Sequence, residues 1–109
     1  MLINFSEFRQ RLKSLNLSVY RDKAATGTEY PYWVYTYVNQ GKITASGTNL
    51  QSVPEYQVSL FTKGTETDLK DFQKAFKDVG YTDFRVSPGD ENDETVNNFY
   101  TYIRVIDDE

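Results

Sequence analysis

The run Tyr32-Trp-Val-Tyr-Thr-Tyr-Val-Asn39 constrains this chain more than any other segment. β-Branched and aromatic residues fill it, and such residues suit a pleated, half-buried surface. Successive side chains of a strand point to opposite faces. Tyr32, Val34, Thr36 and Val38 therefore separate from Trp33, Tyr35 and Tyr37. Both sets are apolar or aromatic, which makes this the strongest strand signal in the chain.

The rest of the chain supplies that sheet and its cover. Phe5, Phe8, Leu12 and Leu15 recur at three- and four-residue steps, which predicts an amphipathic helix over Asn4 to Asn16. Asn4 or Ser6 provides its N-cap oxygen. Leu69, Phe72, Phe76 and Val79 repeat the pattern and predict a second helix over Glu66 to Val79, capped by Thr65 or Thr67 and ended by Gly80 in a left-handed conformation. Strands are expected at Leu17 to Arg21, Glu55 to Thr62, Phe84 to Ser87 and Asn98 to Ile106. Gly41 is read as a turn, with Lys42 to Thr48 a ragged hairpin arm. The expected fold is one α+β domain over residues 1–109, an antiparallel or mixed sheet of four to five strands with two helices packed on one face. The helices are expected to cover the face carrying Val34, Val58 and Ile103. Trp33, Tyr35, Tyr37, Tyr100 and Tyr102 are then left on an open face. Open antiparallel faces usually carry Thr, Lys and Glu, so an aromatic one suggests a partner; the plainer reading is that strand tyrosines pack across neighbouring strands.

Composition narrows the chemistry. The chain has neither cysteine nor histidine, which removes thiol nucleophiles, thiolate metal sites and the commonest general base and metal ligand. Nine Tyr and seven Phe stand against one Met, a balance that suits half-exposed sheet faces and interfaces. A net charge of −4 argues against a general nucleic-acid binder. The acidic run Pro88-Gly-Asp-Glu-Asn-Asp-Glu94 does not follow the spacing of a calcium loop and reads as a solvated turn. No apolar run is long enough to span a bilayer and no secretory leader is visible, so a cytoplasmic protein is expected. No catalytic, metal-binding or cofactor-binding residues are assigned, no cofactor is expected, and the chain is read as a non-enzyme.

Charge is unevenly spread. Arg9, Arg11, Lys13, Arg21 and Lys23 against Glu7 and Asp22 give residues 1–23 a net +3. Seven acids from Asp90 to Glu109 against Arg104 give residues 88–109 a net −6. Such polarity can steer head-to-tail contact between copies, the alternative being an ordinary solvated surface.

Taken together, Leu17-Ser-Val-Tyr-Arg-Asp22, Tyr30-Pro-Tyr-Trp-Val-Tyr-Thr-Tyr37, Glu55-Tyr-Gln-Val-Ser-Leu-Phe-Thr62, the Leu69/Phe72/Phe76 helix and Phe99-Tyr-Thr-Tyr-Ile-Arg-Val-Ile106 resemble the small tail-terminator or tail-completion proteins of long-tailed bacteriophages and prophages of Gram-positive bacteria. The resemblance covers nearly the whole chain and is carried by apolar and aromatic patterns. It implies a structural protein of the virion, made in the host cytoplasm, that forms a homo-oligomeric ring, commonly a hexamer, at the head-proximal end of the tail tube. Its implied partners are its own copies, the tail-tube protein and the head-connector protein, with no sequence-specific nucleic acid and no membrane. It also implies that Thr26 to Tyr30 and Gln40 to Ser52 are loops facing neighbours or the tube. A head-closure protein of the same neck region shares the pattern. Arg9, Arg11, Trp33, Tyr35, Tyr37, Lys42, Tyr100, Tyr102, Asp90 and Glu91 are the candidate subunit-interface residues. The rival reading is a monomeric binding module, such as a phage-encoded inhibitor, acting through an aromatic sheet face.

Overall fold

The first helix, α1, spans Phe5–Lys13 and buries Phe5, Phe8 and Leu12. Asn4 caps it, its side-chain oxygen accepting a hydrogen bond from the Glu7 amide at 2.8 Å. Arg11 and Lys13 in the last turn suit the negative end of the helix dipole. The helix ends three residues short of the sequence expectation, and Asn16 takes a left-handed φ of 65° that turns the chain toward the sheet.

The computed structural model describes residues 1–45 and 49–107. Within them β1 (Ser18–Arg21), β2 (Tyr32–Ala45), β3 (Asn49–Thr62), β4 (Arg85–Pro88) and β5 (Asn97–Arg104) form one five-stranded sheet in the order β1-β2-β3-β5-β4. β1 pairs with β2 in parallel and every other pairing is antiparallel. The fold is therefore α+β with a mixed sheet, and both helices lie on one face, as the apolar stripes require.

The second helical segment begins as a 3-10 turn, Glu66–Leu69, under Thr65, and continues as α2, Lys70–Ala75. It is shorter than the Glu66–Val79 helix the stripe suggests, yet Leu69, Phe72, Phe76 and Val79 are all buried. A turn bonded from the Val79 amide to the Phe76 carbonyl carries the last of them inward. Gly80 does not adopt the left-handed conformation expected of it; among the described residues Asn16, Asp22 and Gly27 do. The helix stops without that device, so its end is set by packing.

Aromatic rings join the two layers. Phe8 meets Tyr35 edge-on at 5.6 Å and lies against Tyr56 at 5.9 Å and Phe76 at 6.2 Å. Phe72 packs on Trp33 at 5.2 Å, on Phe76 at 4.3 Å and on Phe84 at 5.2 Å. Burying each such side chain contributes about 1.5–3 kcal/mol. Thr101, fully buried in mid-sheet, donates its hydroxyl to the Thr82 carbonyl, so the core keeps its polar atom paired.

Between Gln40 and Ser52, where the sequence suggested loop, β2 and β3 continue as a paired ribbon, from Gln40 opposite Pro54 to Ala45 opposite Asn49. Gly41 is not a turn: it sits mid-strand opposite Val53. A lone glycine weakens a strand without breaking it. Fourteen residues of strand span about 45 Å, close to the longest dimension of a body measuring 50 × 24 × 21 Å.

Candidate subunit interface

A single extra residue decides which aromatics face the helices. In the distal ribbon Asn39 pairs with Glu55, whereas Tyr37 pairs with Tyr56, so Val38 is bulged out of the ladder. A slip of one residue exchanges the two faces of a strand. Past the bulge Trp33 lies opposite Leu60 and Tyr35 opposite Val58, which in turn pair with Phe99 and Thr101. All six are on the helix side and buried.

This corrects the open face read from sequence. Trp33 and Tyr35, 1% and 4% exposed, are core residues and cannot meet a neighbour. The Trp33 indole Nε1 is buried without a hydrogen-bond partner, a cost the packing of the ring has to offset. Val58 and Ile103 do lie under the helices, but Val34 lies on the opposite face, opposite Ser59. Tyr37 is on the helix side beyond the helices, against Tyr56 at 6.0 Å, and is exposed. Only Tyr100 and Tyr102 of the proposed aromatic set are on the open face, half-buried, with their rings 6.2 Å apart.

The open face gains aromatics that the sequence reading missed. Tyr30, Tyr32 and Phe61 stack in a row at 5.4 and 5.3 Å, and Tyr20 meets Tyr32 edge-on at 6.0 Å. With Val34 and Ser59 buried among their neighbours, this end of the face is sealed by its own rings. At the other end Tyr100 and Tyr102, with Thr82, Asp83 and Arg85, line a shallow cleft of about 190 Å³. The signal that finds Tyr32 is its place directly opposite Phe61, visible only once the bulge is counted.

The charged candidates divide. Arg11 is not a free surface cation: its guanidinium bonds Asp78 at 2.7 and 3.3 Å, Glu7 at 2.7 Å and the Ala75 carbonyl at 3.0 Å. The bond to Asp78 raises the Arg11 pKa, and the same bond holds the Asp78 carboxyl below its usual value. Arg11 thus clasps α1 to the end of α2. Arg9 lies over the Phe5 ring at 5.7 Å, with its Nε buried. Asp90 accepts from the Tyr30 hydroxyl at 3.0 Å and from the Asn92 amide at 2.9 Å, whereas Glu91 is exposed. Burial, and then the Asp90 bond, push the Tyr30 hydroxyl up to about 12. Asp93 caps the same turn, bonding the Thr95 amide and hydroxyl at 3.0 and 2.6 Å and pairing with Lys63 at 3.3 Å. The acidic segment is therefore a self-bonded turn docked on the first loop through Tyr30. Among the described residues no three acids converge on a point that would hold a metal ion, and no helix is long and apolar enough to cross a membrane.

What remains is the arm. β1 pairs with β2 only along Tyr32–Tyr35, and β5 pairs with β3 only along Glu55–Thr62. The chain after β5 follows a little farther, with the Val105 amide on the Pro54 carbonyl at 3.1 Å and the Asp107 amide on the Ser52 carbonyl at 3.3 Å. Beyond that point the paired strands have only each other among the described residues. Lys42 belongs to this ribbon opposite Ser52; its side chain lies outside the described part, as do Ser46 to Thr48 of the expected 40–52 loop. Neither a protein-family model nor a curated protein matches the chain.

Proposed function

We propose that this chain is a non-catalytic, ring-forming subunit of the phage tail-terminator kind, which caps a tail tube and joins it to the head connector. The observation that carries the reading is the β2–β3 arm. A two-stranded ribbon is marginally stable at best in water, so one that projects past its sheet gains most from a neighbouring surface. A small body with such an arm, a charge-polarised surface and ion pairs spent on internal clasps suits assembly with copies of itself. The pattern resemblance to tail terminators supplies the tube and the connector as partners.

The test is to add the purified protein to preformed tail tubes and image the ends by electron microscopy, with sedimentation of the protein alone over a rising concentration series. Caps at one tube end, or a concentration-dependent ring, support the proposal. Well-formed tubes left bare at high protein concentration would sink it. The rival reading, a monomeric binding module, draws on the half-exposed Tyr100/Tyr102 end of the open face. It expects a monomer at every concentration and loss of one tight host partner on Tyr102→Ala.

A further inference from the structure

The strand order leaves β1 and β4 at the two edges of the sheet. Their ladders show which main-chain groups are free there. The Asp22 amide bonds the Tyr35 carbonyl, so in the parallel pairing Ser18 and Tyr20 turn their groups toward β2 and Val19 turns its N–H and C=O outward. At the other edge the Gly89 amide bonds the Val96 carbonyl. Ser87 and Arg85 then face β5, and Val86 turns its N–H and C=O outward. Each edge is four residues long and centred on a valine whose main chain is unpaired. Both valines lie on the helix side, since their partners Trp33 and Phe99 do, and Val86 is 59% exposed.

Resting on the assembly reading above, we propose that the contact between copies is this pair of edges: β1 of one copy adds to β4 of the next, with Val19 opposite Val86. The directions agree. β1 runs parallel to β2, and three antiparallel steps lead from β2 to β4, so β1 and β4 run oppositely within one copy. A second copy laid alongside with its helices on the same side therefore meets β4 with an antiparallel β1, and the sheet runs on from copy to copy. The contact is heterologous, the kind that closes into rings. In this register Asp83 falls opposite Asp22, just past the end of β1 at Arg21 and one place from Lys23. The acidic turn beyond Pro88 is already bonded to Tyr30 and Lys63 of its own copy, so main-chain pairing and not charge carries the contact. Arg85 and Tyr20, both on the open face, come side by side and are placed for a cation–π contact. The added pair covers the exposed Val86 side chain.

The chain contains no cysteine, so introduced thiols report cleanly. Ser18 and Ser87 become a directly opposed, non-hydrogen-bonded pair, with Cα atoms about 4.5 Å apart, within reach of a disulfide. Ser18→Cys and Ser87→Cys chains are made separately, mixed with and without tail tubes, and oxidised. The expected result is a cross-linked dimer in the mixture and in neither variant alone. Val86→Pro removes the outward N–H from an edge position where proline is tolerated. It is expected to raise the concentration needed for assembly about tenfold while the circular dichroism of the monomer is unchanged. An assembling wild-type protein that gives no Ser18→Cys/Ser87→Cys cross-link, or whose assembly ignores Val86→Pro, overturns the edge contact and leaves the assembly reading standing. A wild-type protein that stays monomeric and ignores tubes overturns both.

Discussion

The layered body and the projecting arm are built from the same two strands, yet their stabilities have different sources. In the body β2 and β3 are flanked by β1 and β5 and covered by two helices, and Trp33, Tyr35, Val58 and Leu60 are almost fully buried. In the arm, among the described residues, the same strands pair only with each other past Ser52. The bulge at Val38 lies four residues before Lys42, the partner of Ser52. One hairpin thus serves as core wall at its base and as unsupported ribbon at its end. The body is packed on itself; the arm, among the described residues, has only its own ladder.

The largest expected effect comes from the body. Phe8→Ala removes a fully buried ring that touches Tyr35, Tyr56 and Phe76, and should cost about 3–5 kcal/mol in urea or thermal unfolding. For a domain of this size that is a large part of total stability. Excising residues 42–52 and joining Gly41 to Val53 through an Asn-Gly turn should behave in the opposite way. Gly41 and Val53 are already opposed, and an Asn-Gly pair closes a two-residue hairpin. The unfolding free energy should stay within about 1 kcal/mol of the full chain, while capping of tubes is lost. An arm-less protein that unfolds as readily as Phe8→Ala would erase the contrast between the two regions.

The sequence shows the body's elements more clearly than their phase. The α1 stripe was legible because Phe5, Phe8 and Leu12 repeat at helical spacing with Asn4 placed to cap. The α2 stripe was legible in its buried residues but not in its length, since a 3-10 start and a closing turn bury the same side chains as a longer helix. The β2 faces were not legible. Tyr32 and Val34 are as apolar as Trp33 and Tyr35, so hydrophobic alternation cannot choose between them. β3 is less ambiguous, since Tyr56, Val58 and Leu60 alternate with Gln57, Ser59 and Phe61. Without the bulge, the register of the distal ribbon would continue into the base and set Trp33 opposite Phe61, on the open face, which is the arrangement the bare pattern suggests. The inserted Val38 reverses it. The candidate interface inherited that error at Trp33 and Tyr35 and escaped it at Tyr100 and Tyr102, whose strand pairs with β3 without a shift.

The smallest expected effect is a pH dependence that belongs to the body alone. Residues 41–53 contain no Asp or Glu, so the arm has no carboxylate to titrate. The body has the clasp between Arg11 and Asp78, 2.7 Å apart, with Glu7 on the other side of the guanidinium at 2.7 Å. Arg11 holds the Asp78 carboxyl below the unfolded value of about 3.9. A depressed carboxylate stabilises the fold above its unfolded pKa, and the contribution fades as pH falls through the folded one. Arg11→Ala should therefore lower Tm slightly near pH 7, far less than Phe8→Ala does, because all three side chains are partly solvated. The gap from wild type should close as pH is taken down to about 2. The same closing gap should appear in the arm-less chain, since none of the groups involved lies in the ribbon. A gap that stays open in acid would mean that Arg11 acts through its packing over Phe76, 5.9 Å away, and not through its charge.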